Sequence, residues 1–260
     1  MSIPDADADA DADTALELRN SLDPSHVSFY RSAYRGRLVV LCGGTTLNEQ
    51  PLELLHGTPT LGVNESFRGA HPATRYPSTW AHLLSDWRGA DAYGAEVVRR
   101  WPLMLTFQKI ASNSHVAGTI PLIRRNGEEF RTDLARGVWN ICAPVLALQL
   151  GVYLGFTDIV FAGLDLKRRS PRLHWWSSEP DVRDPSHDWN IQRAALRKCA
   201  AHLSRYLPHV RVCNVSHDTT CDAFEQRRFD DVFGGAASRV DERSATRIDN
   251  VIANHDERSR

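Results

Sequence analysis

The sequence predicts an α/β chain: a single Rossmann-like domain, a mostly parallel sheet flanked by helices, with a lid-like insertion. Three observations carry this. RLVVLCGG (37–44) is a basic edge followed by a continuous apolar run that ends on a glycine pair, as a parallel strand covered on both faces does. The segment VWNICAPVLALQLGVYL (138–154, closed by Gly155) is apolar nearly all round and long enough to be a helix buried against a sheet. Strand-like and helix-like segments then alternate at the spacing of βαβ units.

Taken in order, MSIPDADADADADT is low-complexity and acidic, so residues 1–14 are expected to be a disordered tail. It lacks the basic region and apolar run of a signal peptide. A weak helical pattern covers 14–34. The strand from Arg37 runs into the turn Gly43-Gly44-Thr45-Thr46 and a helix start, and TPTLGVNESF (58–67) gives a second strand ending at Asn64. A helix near 90–100 precedes strands at 102–109 and 118–125. The long helix at 138–154 ends at Gly155, a good residue just past a helix, and a strand follows at 157–162. A polar stretch leads to a helix at 189–206, a strand VRVCNV (210–215) and a turn-helix at 221–233. Residues 235–260 are charged and aperiodic, a second tail. The domain proper is therefore 15–234.

Composition narrows the function classes. With 31 Lys and Arg against 32 Asp and Glu, no global field favours nucleic acid or an anionic membrane. No apolar run approaches the roughly 20 residues of a membrane span, so a cytoplasmic protein is expected. Five widely spaced cysteines, none in a CxxC pair, read as reduced, buried thiols without a structural metal.

Doubly wound sheets bind ligands beyond the carboxyl ends of their strands, which directs attention to three places. Gly43, Gly44 and Thr45 follow the first strand, where bare backbone N–H groups could face a phosphate; the pattern is neither GxGxxG nor a Walker A, and a plain turn fits it equally. Asn64 could bind a base or ribose, or simply cap a helix. Gly163 and Asp165 end the strand at 157–162, where a carboxylate could meet a ribose hydroxyl or cap a loop. The stretch 167–188 is long for a connection and concentrates Lys167, Arg168, Arg169, His174, Trp175, Trp176 and His187. Cations suit phosphates, aromatic faces suit bases and sugars, and an imidazole moves protons near neutral pH, so this stretch reads as a lid.

APVLALQLGVYLGFTDIVFAGLDL (143–166), PSHDWNIQRAALRKCAAHL (185–203) and VRVCNVSHDTTCDAFEQRRFDDVF (210–233), with the CGGTTL and GVNESF blocks, resemble the MptE-like superfamily. That superfamily includes archaeal hydroxymethylpterin diphosphokinases and domains of flagellin-modifying glycosyltransferases. The same blocks are similar to the bacterial lipooligosaccharide sialyltransferases. The resemblance implies a nucleotide-sugar-dependent glycosyltransferase in surface polysaccharide or glycoconjugate synthesis, with nucleotide held by Gly43, Gly44, Asn64, Gly163 and Asp165. It implies His187 as catalytic base, with Lys167 and Arg168 beside the donor phosphate where the sialyltransferases carry tyrosines. Ala143-Pro144 stands where those enzymes carry Ser-Gly. No tightly bound cofactor is implied; the partners are a nucleotide donor and a glycan or small alcohol acceptor, not nucleic acid. The first alternative is a diphosphokinase moving pyrophosphate from ATP to a pterin alcohol, which would need Mg2+ held by carboxylates such as Asp165, Asp181, Asp184 or Asp188. The second is a non-catalytic nucleotide-binding module. Neither donor, acceptor nor oligomeric state is legible.

Overall fold

The computed structural model describes residues 23, 25–69, 80–101, 104–110, 115–125, 129–139, 141–169, 171, 173–177 and 186–234, without the side chains of Trp87, Ser186 and His187. The tails at 1–14 and 235–260, and residues 14–22 and 24 of the weak helical pattern at 14–34, lie outside these residues; within that pattern Val27–Tyr30 is a single 3₁₀ turn.

Nine strands among the described residues form one sheet: β1 (Arg37–Leu41), β2 (Thr60–Val63), β3 (Ala81–Leu84), β4 (Leu105–Ile110), β5 (Ile120–Arg125), β6 (Val138–Trp139), β7 (Asp158–Ala162), β8 (Arg211–Asn214) and β9 (Glu225–Gln226). Their order is β6-β5-β4-β3-β2-β1-β7-β8-β9. Every pairing is parallel, so the sheet is wholly rather than mostly so. From β1 the chain winds outward through β6, then returns to lay β7 along the other side of β1, with Arg37 opposite Asp158 and Leu41 opposite Ala162. Strand order reverses at that seam.

The helices are α1 (Trp87–Arg100), α2 (Ala143–Leu154), α3 (Ser186–Tyr206) and the short α4 (Phe229–Phe233). Side chains alternate across a strand, so a strand buried on both faces must be apolar throughout. In β1, Leu38 and Val40 face a core built with α2 and α3, whereas Val39 and Leu41 face a second core with Val160, Leu47 and Phe229. This is the physical cause of the uninterrupted run at 38–41.

α2 lies within the first core, ten of its twelve residues buried, which accounts for its lack of a polar face. It begins at Ala143 rather than at residue 138. Val138 and Trp139 instead pair with Arg124 and Arg125 as β6, and Pro144 in the first turn marks the true start. Gly155 ends the helix in the left-handed conformation, as expected. Gln149, fully buried on α2, ties helix to sheet edge. Its Oε1 accepts from the backbone of Trp139 (3.2 Å) and Arg131 (3.1 Å), and its Nε2 donates to Trp139 O (2.8 Å).

α3 begins at Ser186, three residues before the expected start, so 186–188 belong to a helix and not to a lid; Asp188 in the first turn suits the positive end of the helix dipole. The expected helix after Thr45 is a 3₁₀ turn, Thr45–Glu49. The expected turn-helix at 221–233 holds β9 before α4. β3 is an added strand that the sequence reading did not contain. Its fully buried His82 breaks the apolar run. The Nε2–H of His82 donates to Asn64 O (2.7 Å), its Nδ1 is unpartnered, and burial pushes its pKa down to about 4, so the ring is neutral at physiological pH.

All five cysteines are free; four are buried and Cys142 is half-buried. No helix among the described residues is long and apolar enough to cross a membrane.

Replacing Gln149 by Leu keeps the volume but strands buried backbone groups of Trp139 and Arg131. We expect a loss of about 1–3 kcal/mol, read as a lower denaturant midpoint with unchanged m-value.

Candidate functional site

A cleft of about 780 Å³ opens along the carboxyl ends of β1, β2, β3, β4 and β7. The first residues of α1, α2 and α3 border it, including Gly89, Ala143 and Asp188. Its inner end lies over the β1–β7 seam, the switch point at which open α/β sheets place ligands.

The two loops at the seam are clasped. Gly44 N–H donates to Gly163 O (2.7 Å), and Asp165 accepts from Thr46 N–H (3.0 Å) and from the Thr46 hydroxyl (2.5 Å). A side chain on Gly44 would bring its Cβ to 2.3 Å from Asp165 Cγ and 2.5 Å from Gly163 O, so only glycine lets the loops approach this closely. Gly163 has φ +73°, a left-handed conformation that turns the chain out of β7, and its bare Cα packs on Leu47.

Polar groups at the end of β8 and just after it fix the β7 loop in turn. Leu164 N–H donates to Ser216 Oγ (2.8 Å), and Leu164 O accepts from Asn214 Nδ2 (3.1 Å) and Thr219 Oγ1 (2.6 Å). Leu166, left-handed at φ +51° despite its side chain, has its carbonyl held by Thr220 Oγ1 (2.7 Å) and Arg193 Nη1 (3.1 Å). Strain of that kind persists only where surrounding contacts over-determine it.

Asp165 is 2% exposed. Burial raises its pKa, outweighing the two Thr46 hydrogen bonds and the positive field of Arg169. Its two oxygens each serve Thr46, so its first task is to close the clasp.

Gly43, Gly44, Asn64, Gly163, Asp165 and Lys167 all border the cleft. Thr45 opens the 3₁₀ turn behind the glycines. Asn64 is left-handed at φ +49°, and its Oδ1 accepts from Ser85 N–H (2.8 Å), Ser85 Oγ (2.9 Å) and Asp86 N–H (3.3 Å). It therefore stitches β2 to β3.

The basic run is drawn outward. Lys167 is ion-paired with Asp218; Arg169 pairs with Asp218 (2.7 Å) and Glu49 (2.7 Å), and His217 lies 2.9 Å from Glu49. These pairs hold the Glu49 and Asp218 carboxyls below their usual range. Arg168 is exposed and donates to Pro171 O (3.1 Å).

Leu173–Ser177, one described part of the expected lid, rests on the β1 loop and forms a cleft wall. Trp175 N–H donates to Gly43 O (3.1 Å), and His174 stacks on Trp176 with ring centroids 4.6 Å apart. The His174 Nδ1 would lie 2.7 Å from a Cβ on Gly43. His187 is the second residue of α3, directly before the cleft residues Asp188 and Trp189; its side chain, together with Asp181 and Asp184, lies outside the described residues.

Three contributors escaped the sequence reading. Thr46 was visible only as the second threonine after the glycine pair. Lys109, 8% exposed, is the penultimate residue of β4 and borders the cleft, as does Tyr93 of α1. Both sit in segments that read only as secondary structure.

Comparison with protein-family models, curated proteins and solved structures finds no match for this chain.

The clasp makes a signed prediction. Asparagine at 165 can accept from Thr46 N–H and donate to Thr46 Oγ1, preserving both contacts without a buried charge, whereas alanine strands both. Asp165→Ala should lose about 1–3 kcal/mol. Because burial raises the folded-state pKa above the unfolded value near 3.9, the folded state holds the proton more tightly. Wild-type stability therefore gains as pH falls through the raised pKa, and Asp165→Asn lacks that gain. Any advantage of Asp165→Asn at neutral pH should shrink as the solution is acidified, measured by urea unfolding at stepped pH.

Proposed function

We propose that the protein is a nucleotide-sugar-dependent glycosyltransferase acting in surface polysaccharide or glycoconjugate synthesis. The observation that carries this reading is the cleft at the β1–β7 switch point, floored by side-chain-free backbone at Gly43, Gly44 and Gly163. Bare backbone there suits close approach of a phosphate or ribose, and the resemblance of the surrounding blocks supports a nucleotide.

In this reading the nucleotide lies over the seam, with Asn64 and the β7 loop fixing the shape of its end of the cleft. An imidazole takes the proton of the acceptor hydroxyl, the acceptor oxygen attacks the anomeric carbon, and the sugar–phosphate bond breaks to release the nucleotide. His187, at the start of α3, is the base indicated by the resemblance. His174 is a second imidazole, already seated beside Gly43. Lys167 is the member of the basic run that borders the cleft, so it is the one placed to stabilise charge on the leaving phosphate, exchanging Asp218 for the ligand.

Thermal unfolding in the presence of CMP, UDP, GDP and ATP donors should show a selective shift, because a ligand that binds only the folded state raises its stability. With that donor, His187→Ala should lower turnover about 10²–10⁴-fold and leave the shift intact. If His174→Ala produces the drop instead, the base is His174. Strict Mg2+-dependent turnover of ATP with a pterin alcohol, and none with any nucleotide sugar, would replace this reading with a diphosphokinase. No shift with any nucleotide would reject both.

A further inference from the structure

The cleft is longer than one binding site at the seam requires. It reaches from β7 across β1, β2 and β3 to the end of β4, where Lys109 borders it. Neighbouring strands lie about 4.8 Å apart, so β4 is roughly 14 Å from β1. A ligand fixed at Gly44 and Gly163 leaves this far end for a different group.

What the far end offers is one deeply set cation. Lys109 is 8% exposed, and among the described residues its ammonium has no ion-pair or hydrogen-bond partner. An ammonium half screened from water, with no counter-ion among the described residues at ion-pair distance, is a charge left open to a ligand that enters the cleft. Burial lowers its pKa; Asp86 opposes that shift and the positive charge of Arg124 on β5 adds to it. Asp86 and Glu65 also border the cleft, and neither is at ion-pair distance from Lys109. Asp86 caps α1 by accepting from Arg88 N–H (3.2 Å), and Glu65 pairs with Arg68 (3.1 Å). Tyr93 borders the same end, its hydroxyl above the backbone of Gly89.

We infer that Lys109 is the anion-binding residue of a second subsite at the β4 end of the cleft, which takes the carboxylate or phosphate of an acidic acceptor. This rests on the transferase reading above, in which the nucleotide occupies the seam. A half-buried ammonium in a walled cleft binds an anion more strongly than a surface lysine does, because less solvent competes for it. It would discriminate against neutral acceptors because these cover the half-buried charge without pairing it. In the basic run at 167–169, Lys167 and Arg169 are already matched by Glu49 and Asp218, and Arg168 is not among the residues that border the cleft.

The test uses the full chain as wild type, Lys109→Met, Lys109→Gln and Lys109→Arg, each first shown to unfold cooperatively. Glucose 6-phosphate, glucuronate and neutral glucose are titrated into each by calorimetry, and the nucleotide-induced thermal shift is measured on the same samples. We expect saturable binding of one or both acidic sugars to wild type and none of glucose. Binding should weaken about ten-fold or more in the two neutral variants and survive in part in Lys109→Arg, with the nucleotide shift unchanged throughout. The preferred acid tells carboxylate from phosphate. Equal binding to wild type and the neutral variants, or no binding of either acid to wild type, overturns the inference even where nucleotide binds. Acid binding that depends on Lys109 without any nucleotide shift upholds the subsite and rejects the transferase reading instead.

Discussion

The clasp between the β1 and β7 loops is the constraint on which the rest of the site depends. Two adjacent parallel strands that leave the sheet in opposite senses would ordinarily splay their loops apart. Here Gly44 and Gly163 meet backbone to backbone, and Thr46 and Asp165 lock the contact from behind with two further hydrogen bonds. The cleft floor is therefore rigid main chain, and the glycine pair that could cradle a phosphate is also what allows the floor to close. Burying the Asp165 carboxylate costs free energy that the Thr46 donors offset only in part, since its pKa still rises.

Charge is distributed around this floor in an unexpected way. In the densest positive run of the sequence, 167–169, Lys167 and Arg169 pair with Glu49 and Asp218, tying the β1, β7 and β8 loops together at the rim. Pairs this exposed contribute little to stability individually, but a shared network fixes loop geometry. The cation deepest in the cleft comes from β4, whose sequence LTFQKI is an ordinary strand with a lysine near its end. Local charge density in a sequence thus gave a poor guide to where positive charge faces the cleft, because it says nothing about which carboxylates fold in beside it.

The fold was legible where periodicity and punctuation agreed. The apolar runs of β1 and β7, the Gly155 stop of α2 and the Gly163–Asp165 strand end all follow from local chemistry. β6 was lost because Val138 and Trp139 adjoin an apolar helix, and a two-residue strand has no period of its own. β3 was lost because four residues that include His82 do not look like a buried strand; the histidine is tolerated because Asn64 O accepts a hydrogen bond from its Nε2–H and the ring stays neutral. In the site, the glycines and Asp165 were predictable as strand-end residues, whereas Thr46 and Lys109 depend on loops and strands brought together by the winding of the sheet. The left-handed turn at Asn64, with its amide binding Ser85 and Asp86, is likewise a product of tertiary contact.

The β1–β7 seam also has a consequence in time. Arg37 and Asp158, opposite one another in the finished sheet, stand 121 residues apart in the chain. β1 can find β2 early, but its other edge stays open until most of the domain has been made, and contacts of such long range form slowly. Through that interval Leu38–Leu41 presents unpaired backbone and apolar side chains, a template onto which a strand of another chain could add. The edge that creates the binding crevice is thus the one that a newly synthesised molecule must shield longest from its neighbours.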